Sequence, residues 1–127
     1  MEWFEELDKW VADYLPDLRM VREEPMSRHT SFRVGGPARR MAFPERAEQL
    51  VLLESFAREC GARPLVVGNG TNLLCPDAGL DRLVIDTSAG LTRVEPGTQP
   101  NTLTAECGAP LARLALCACE QGLTGLE

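Results

Sequence analysis

Pro64-Leu65-Val66-Val67-Gly68-Asn69-Gly70-Thr71-Asn72 is an apolar run that ends in two closely spaced glycines, and its reading decides the fold. The run predicts a short strand. A strand ending this way can fold its backbone N–H groups around an anion, for which a phosphate is the natural guest. The residues that follow exclude two other phosphate-binding arrangements. Pro76 stands where a dinucleotide-fold helix should be propagating, so a pyrophosphate on a helix N-terminus is not expected. A Walker loop ends in Gly-Lys-Ser/Thr, and the only lysine of the chain is Lys9, far upstream.

Working outward, Pro44 and Glu45 open a helix in which Ala47, Leu50, Val51, Leu53 or Glu54, Ala57 and Cys60 recur at helical spacing, and Gly61 closes it at a position suited to a left-handed cap. Met41 to Phe43, just before it, begins the sheet. Strand, helix and strand make a βαβ unit, which places the Gly68 turn at the carboxyl end of a parallel strand, where ligands of α/β sheets bind. Ser27 to Ala38 reads as irregular, with a turn at Gly35-Gly36-Pro37. Further back, Glu2 to Leu15 predicts an amphipathic helix with Trp3, Leu7, Trp10, Val11, Tyr14 and Leu15 on one stripe, ended by Pro16. Its polar face is acidic, so the stripe is expected to pack on protein and not on anionic lipid.

Downstream of the turn the pattern changes to short strands at Leu83 to Asp86, Thr92 to Val94 and Thr102 to Glu106. Ser88-Ala89-Gly90 and Glu95-Pro96-Gly97 separate them, and together they predict a small antiparallel or mixed sheet. Pro110 starts a second amphipathic helix, Leu111 to Gln121, with Leu111, Leu114, Ala115 and Ala118 on one face and Gly122 at its end.

At 127 residues the chain has the length of one domain, small for an enzyme that must hold both a cofactor and a substrate. The 19 acidic residues outnumber the 13 basic ones, which argues against a general nucleic-acid binder. Charge is uneven: Met1–Glu24 holds eight of the acids and three of the bases. The remainder is close to neutral and carries ten arginines, suited to a phosphorylated ligand. No stretch has the length of a membrane span, and the acidic N-terminus lacks a signal-peptide pattern, so a cytoplasmic protein with no membrane partner is expected. Five cysteines without a Cys-x-x-Cys pair are read as small buried or half-buried residues in a reducing compartment. Asp77, Asp81 and Asp86 follow turns and a strand end without the dense oxygen ligation of a calcium loop, so no metal is assigned. Adjacent Arg39 and Arg40, like Arg33, read as a solvated rim.

Three segments taken together resemble the UDP-N-acetylenolpyruvoylglucosamine reductase (UDP-N-acetylmuramate dehydrogenase) family. They are His29-Thr30-Ser31-Phe32-Arg33-Val34-Gly35-Gly36-Pro37-Ala38, Val66-Val67-Gly68-Asn69-Gly70-Thr71-Asn72-Leu73-Leu74, and Gly122-Leu123-Thr124-Gly125-Leu126-Glu127. The resemblance covers nearly all of the chain from about Arg28 onward, with Thr71 standing where the family more often has serine. It implies an α+β protein of the vanillyl-alcohol-oxidase-like FAD-binding fold with two small α/β subdomains. Residues 1–24 would form an acidic helix and linker, residues 25–82 the first subdomain and residues 83–127 the start of a second, truncated one. Gly68, Asn69, Gly70, Thr71, Asn72 and Leu73 are the implied cofactor-binding residues, the glycines admitting the FAD pyrophosphate, Thr71 and Asn72 adding hydrogen bonds, and Leu73 with Leu74 anchoring the loop.

The activity implied by the resemblance is hydride transfer from NADPH through FAD to the enolpyruvyl group of a UDP-sugar, yielding UDP-N-acetylmuramate, a peptidoglycan precursor. The family's catalytic arginine, glutamate and serine lie beyond the position of Glu127, so no catalytic residue is carried over. This chain alone is expected to be inactive and to purify largely without flavin. His29, the only histidine, belongs to the Thr-Ser-Phe segment and is expected to make a structural hydrogen bond. Two rivals stand beside this reading. One is an FAD-linked oxidase of the same fold, in which flavin attached covalently would stay with the denatured protein. The other is a non-catalytic interaction domain, which would bind no flavin and would hold a partner through Trp3 and Trp10.

Overall fold

A four-stranded sheet organises the larger part of the computed structural model, which describes residues 1–126. In chain order the elements are α1 (Trp3–Tyr14), β1 (Arg19–Pro25), a 3-10 turn (Met26–Arg28), β2 (Pro37–Phe43), α2 (Ala47–Glu59), β3 (Leu65–Val67), β4 (Leu80–Asp86), β5 (Val94–Pro96), β6 (Leu103–Ala105) and α3 (Leu111–Glu120). The sheet runs β1-β2-β4-β3, and β5 and β6 form a separate antiparallel pair. Strand β4 is parallel to both β2 and β3, while β1 is antiparallel to β2. The expected βαβ crossover is therefore present, with β4 inserted between its two strands.

The insertion of β4 corrects the sequence reading. Leu83 to Asp86 was expected in a second, separate sheet, yet the strand begins at Leu80 and lies inside the first one. Its Leu83, Val84 and Ile85 are fully buried, as befits a parallel strand covered on both faces. The boundary expected between residues 82 and 83 passes through this strand. Strand β1 was missed because Arg19–Pro25 is rich in charge, with Arg19 and the run Arg22-Glu23-Glu24, and shows no apolar alternation. An edge strand half open to water tolerates them. The last strands are displaced slightly, since Pro96, expected in a turn, ends β5 opposite Leu103. Of the closing Gly122–Glu127 segment, Glu127 lies outside the described residues.

The two faces of the sheet are closed by different means. On one face, Leu7 and Val11 of α1 and Leu15 just past its end pack with Leu53 and Ala57 of α2 against Ala42, Leu83 and Ile85. The apolar stripe of α1, expected to pack on protein, joins this core, while the end of the segment 1–24 expected as helix and linker lies in β1, and Trp10 stacks on Phe56 with ring centroids 4.6 Å apart. Arg40, expected at a solvated rim, is buried here and held by Asp8 through two hydrogen bonds of 2.8 Å. Two parallel N–H donors on one carboxylate offset the cost of desolvating the guanidinium. On the other face Met26, Met41, Phe43, Val67, Cys75 and Val84 lie under irregular chain, residues 26–36 and 68–79. The two loops are tied together there by Gly36 N–H donating to the Pro76 carbonyl at 2.9 Å.

No helix among the described residues is long and apolar enough to cross a membrane. Of the cysteines, Cys75 is buried and Cys60 and Cys117 are half-buried, but Cys107 and Cys119 are exposed, contrary to the sequence reading. Leu111 of α3, expected on the packed face, is also exposed, and Ala118 is the buried residue of that helix.

Candidate functional site

The carboxyl ends of β3 and β4 lie side by side, with Val67 paired to Asp86. The Val67 carbonyl accepts from Thr87 twice, from its N–H at 2.9 Å and its hydroxyl at 3.0 Å, which closes the sheet end. Beyond this point the chain leaves β3 through Gly68 and opens a cavity of about 710 Å3, within the range of small-molecule sites. Gly68 and Asn69 form one wall, residues 27–33 the opposite wall, and Asp86 with Ser88 the end of the sheet between them. Topology dictates this position, because connections diverge at the carboxyl ends of parallel strands and leave a crevice.

The two glycines of the turn serve different purposes. Gly70 has φ of +70°, and a Cβ there would overlap the carbonyl oxygen of His29. Its own carbonyl accepts from Ser31 N–H at 3.1 Å. Gly70 is therefore required by the opposite loop, where the sequence reading placed a phosphate against it. Gly68 is the converse case: an added Cβ would meet no heavy atom within 4 Å, and the space beside it is cavity. Close approach by a ligand is available at Gly68.

Among the described residues, the backbone N–H groups of Asn69, Gly70, Thr71 and Asn72 donate to no protein acceptor. Successive free donors in a glycine turn are the kind of arrangement able to cradle an anion. The side chains around it are polar: Ser27, Thr30, Ser31 and Ser88 offer hydroxyls, and Arg28 and Arg33 supply positive charge. Such a lining suits the phosphorylated middle of a dinucleotide better than an apolar ring. Of the expected site residues, Gly68 and Asn69 line the cavity, while Gly70, Thr71, Asn72 and Leu73 continue the loop and are not among its lining residues. Leu73 packs against the loop-face core as expected. Leu74 is exposed, however, and Cys75 is the buried anchor.

Sequence reasoning missed the second wall and the floor. His29 makes the expected structural contacts, its Nε2 lying 2.8 Å from Glu24 Oε2 and its Nδ1 3.3 Å from Asp86 Oδ2. Asp86 Oδ1 accepts from the Ser88 N–H at 2.8 Å and hydroxyl at 2.6 Å. The signal for Asp86 was present, since it is the first polar residue after an apolar parallel strand. Two thiols lie off the site. Burial pushes Cys60 and Cys75 above the ordinary thiol range, and for Cys60 the Glu6 carboxylate adds to the effect.

Relatives at the sequence level agree with one another. The chain is 40% identical over 129 residues to UDP-N-acetylenolpyruvoylglucosamine reductase of Agathobacter rectalis, covering 94% of this chain and 41% of that protein. It is 36% identical over 117 residues to the protein of the same name from Caldanaerobacter subterraneus, covering 92% of this chain and 38% of the relative. The chain thus spans about two fifths of the length of these relatives. In structure it is similar to cholesterol oxidase from B. sterolicum, with a TM-score of 0.63 and 14% identity over 84% of this chain and 20% of that one. That likeness concerns the fold, which is the two-part FAD-binding α+β fold expected from the sequence. A sequence profile of the FAD binding domain matches residues 38–126, from the strand beneath the cavity through the glycine turn and past α3, and the chain belongs to that family.

Proposed function

We propose that this chain is the dinucleotide-holding part of a UDP-N-acetylenolpyruvoylglucosamine reductase, an NADPH-dependent flavoenzyme of peptidoglycan precursor synthesis in the cytoplasm. One observation carries the reading: two of the three segments that carry the resemblance, 29–38 and 66–74, meet beside the cavity, with Ser31 N–H on the Gly70 carbonyl. The names of the relatives support the same reaction.

The residues present fit FAD. Gly68 leaves room for a phosphate against the backbone, and the amides of Asn69 to Asn72 donate to its oxygens in place of a lysine. The side chains of Thr71 and Asn72, both exposed, add hydrogen bonds, while Leu73 keeps the turn on the core. Arg28 and Arg33 at the rim balance the pyrophosphate charge. Bound FAD would supply hydride transfer from NADPH to the enolpyruvyl double bond of the UDP-sugar. Protonation of the resulting carbanion-like centre is assigned to no residue of this chain.

The interaction-domain alternative is disfavoured by the packing of Trp3 and Trp10 against their own core. Titrating the purified chain with FAD, followed by flavin fluorescence, tests the proposal. Gly68→Val should weaken binding by at least about tenfold, since the new side chain fills the approach to the backbone. Its melting temperature should stay near that of the parent, because the Cβ meets nothing. Equal affinity in the two proteins would remove the cofactor from this turn.

A further inference from the structure

We propose that His29 is a positioning residue for the dinucleotide turn: clamped between Glu24 and Asp86, it sets the carbonyl on which Gly70 rests. The inference builds on the flavin reading above and extends it to residues outside the glycine turn. His29 belongs to a stretch without regular structure, residues 29–36, that forms a cavity wall facing Gly68 and Asn69. A wall of this kind holds its shape only if something fixes it to the sheet.

The His29 ring does so from inside the protein, its side chain only 17% exposed. Glu24 lies on β1 opposite Ala38, near where β2 begins, and Asp86 ends β4, one residue past the Ile85 that pairs with Ala42. The imidazole spans the face of the sheet between these two carboxylates, beside the Phe43 ring, whose centroid is 5.9 Å away. Asp86 is itself fixed, with its side chain 5% exposed and both Ser88 donors on its other oxygen. The Glu24 contact, at 2.8 Å, is a hydrogen bond to a carboxylate of the short, directional kind, and Asp86 lies within ion-pair reach on the other side of the ring at 3.3 Å.

The main chain of the same residue faces the turn. Its carbonyl oxygen occupies the space that a Cβ at Gly70 would need, and two residues on, Ser31 N–H donates to the Gly70 carbonyl. One residue therefore links three strands of the sheet, through its ring, to the peptide units that present free amides to the ligand. Prearranged donors bind more tightly than donors that must be ordered on binding.

The test compares the parent with His29→Ala, His29→Asn and Glu24→Gln in two readouts, the dissociation constant for FAD and the exchange rate of the Ser31 amide in the protein without ligand. Asn retains a donor where Nδ1 meets Asp86, and Gln at 24 keeps shape while losing charge. His29→Ala should weaken FAD binding about tenfold and speed Ser31 exchange by a similar factor, as expected for loss of one charge-assisted contact. Asn at 29 should recover most of both effects, and Glu24→Gln should produce a smaller loss of affinity although Glu24 is not among the residues lining the cavity. A role confined to stability would lower the melting temperature and leave the affinity of the folded protein unchanged. Affinity in His29→Ala within about twofold of the parent would overturn the proposal while leaving the flavin reading intact. Failure of the parent to bind FAD even with the cofactor in large excess would defeat the flavin reading and the positioning role with it.

Discussion

The two faces of the central sheet solve the same burial problem differently. On the helix face, α1 and α2 bring regularly spaced apolar side chains onto Ala42, Leu83 and Ile85, and the buried cation Arg40 is matched by Asp8. The loop face is covered by irregular chain, and its contacts are largely backbone on backbone, such as Gly36 on Pro76 and Ser31 on Gly70. Regular helices satisfy their own backbone groups and seal the surface they cover. Loops do not, so unpaired N–H groups and a cavity collect on that side. Helix packing and the cavity are thus on opposite faces of one sheet, and if the cavity holds the cofactor as proposed, substitutions on the two faces should separate stability from binding.

The largest expected effect is on the helix face. Leu7→Ala leaves a hole between α1 and the sheet at a fully buried position and should cost about 3 kcal/mol in urea-induced unfolding. The FAD affinity of the folded fraction should be unaltered. A cost under about 0.5 kcal/mol, the range of ordinary surface substitutions, would detach α1 from the core.

Gly70→Val should come next and should damage both properties. The left-handed backbone and the His29 carbonyl together oppose a side chain, giving a loss of about 2 kcal/mol through opening of the two loops. FAD binding should fall with it, unlike in Gly68→Val, where affinity alone is lost. If the two glycine variants behaved alike, the distinction between a packing glycine and an approach glycine would fail.

The smallest effect concerns the thiols. Burial raises Cys60 and Cys75, so at a given pH a smaller fraction of each is thiolate than for an unperturbed cysteine. Alkylation near neutral pH, followed by peptide mass spectrometry, should mark the exposed Cys107 and Cys119 first. Raising the pH should bring Cys75 into reaction last, because access as well as ionisation is withheld on the loop face. Early labelling of Cys75 would mean that the 68–79 loop opens readily.

Local patterns were legible wherever one element's residues report their own surroundings. Trp3, Leu7, Trp10, Val11 and Leu15 of the first stripe, the spacing of Leu50, Leu53, Ala57 and Cys60 along α2 and its cap, and the strand Leu65–Val67 with its glycine turn are all found in place, whereas Tyr14 of that stripe is exposed. Val51 is the exception in α2, exposed because the packed face is narrower than the apolar spacing suggested. Strand β1 escaped detection because an edge strand open to water carries no apolar signature.

Residues close together in the chain were enough to identify the family, the glycine turn at the end of a parallel strand and the expectation of a phosphorylated guest. Only the tertiary structure decided that β4 sits between β2 and β3, that α1 belongs to the core, and that Gly70 answers to His29 while Gly68 faces the cavity. Those are relations between segments tens of residues apart. They depend on which surfaces meet when the sheet is assembled, and a single segment carries no record of its partner.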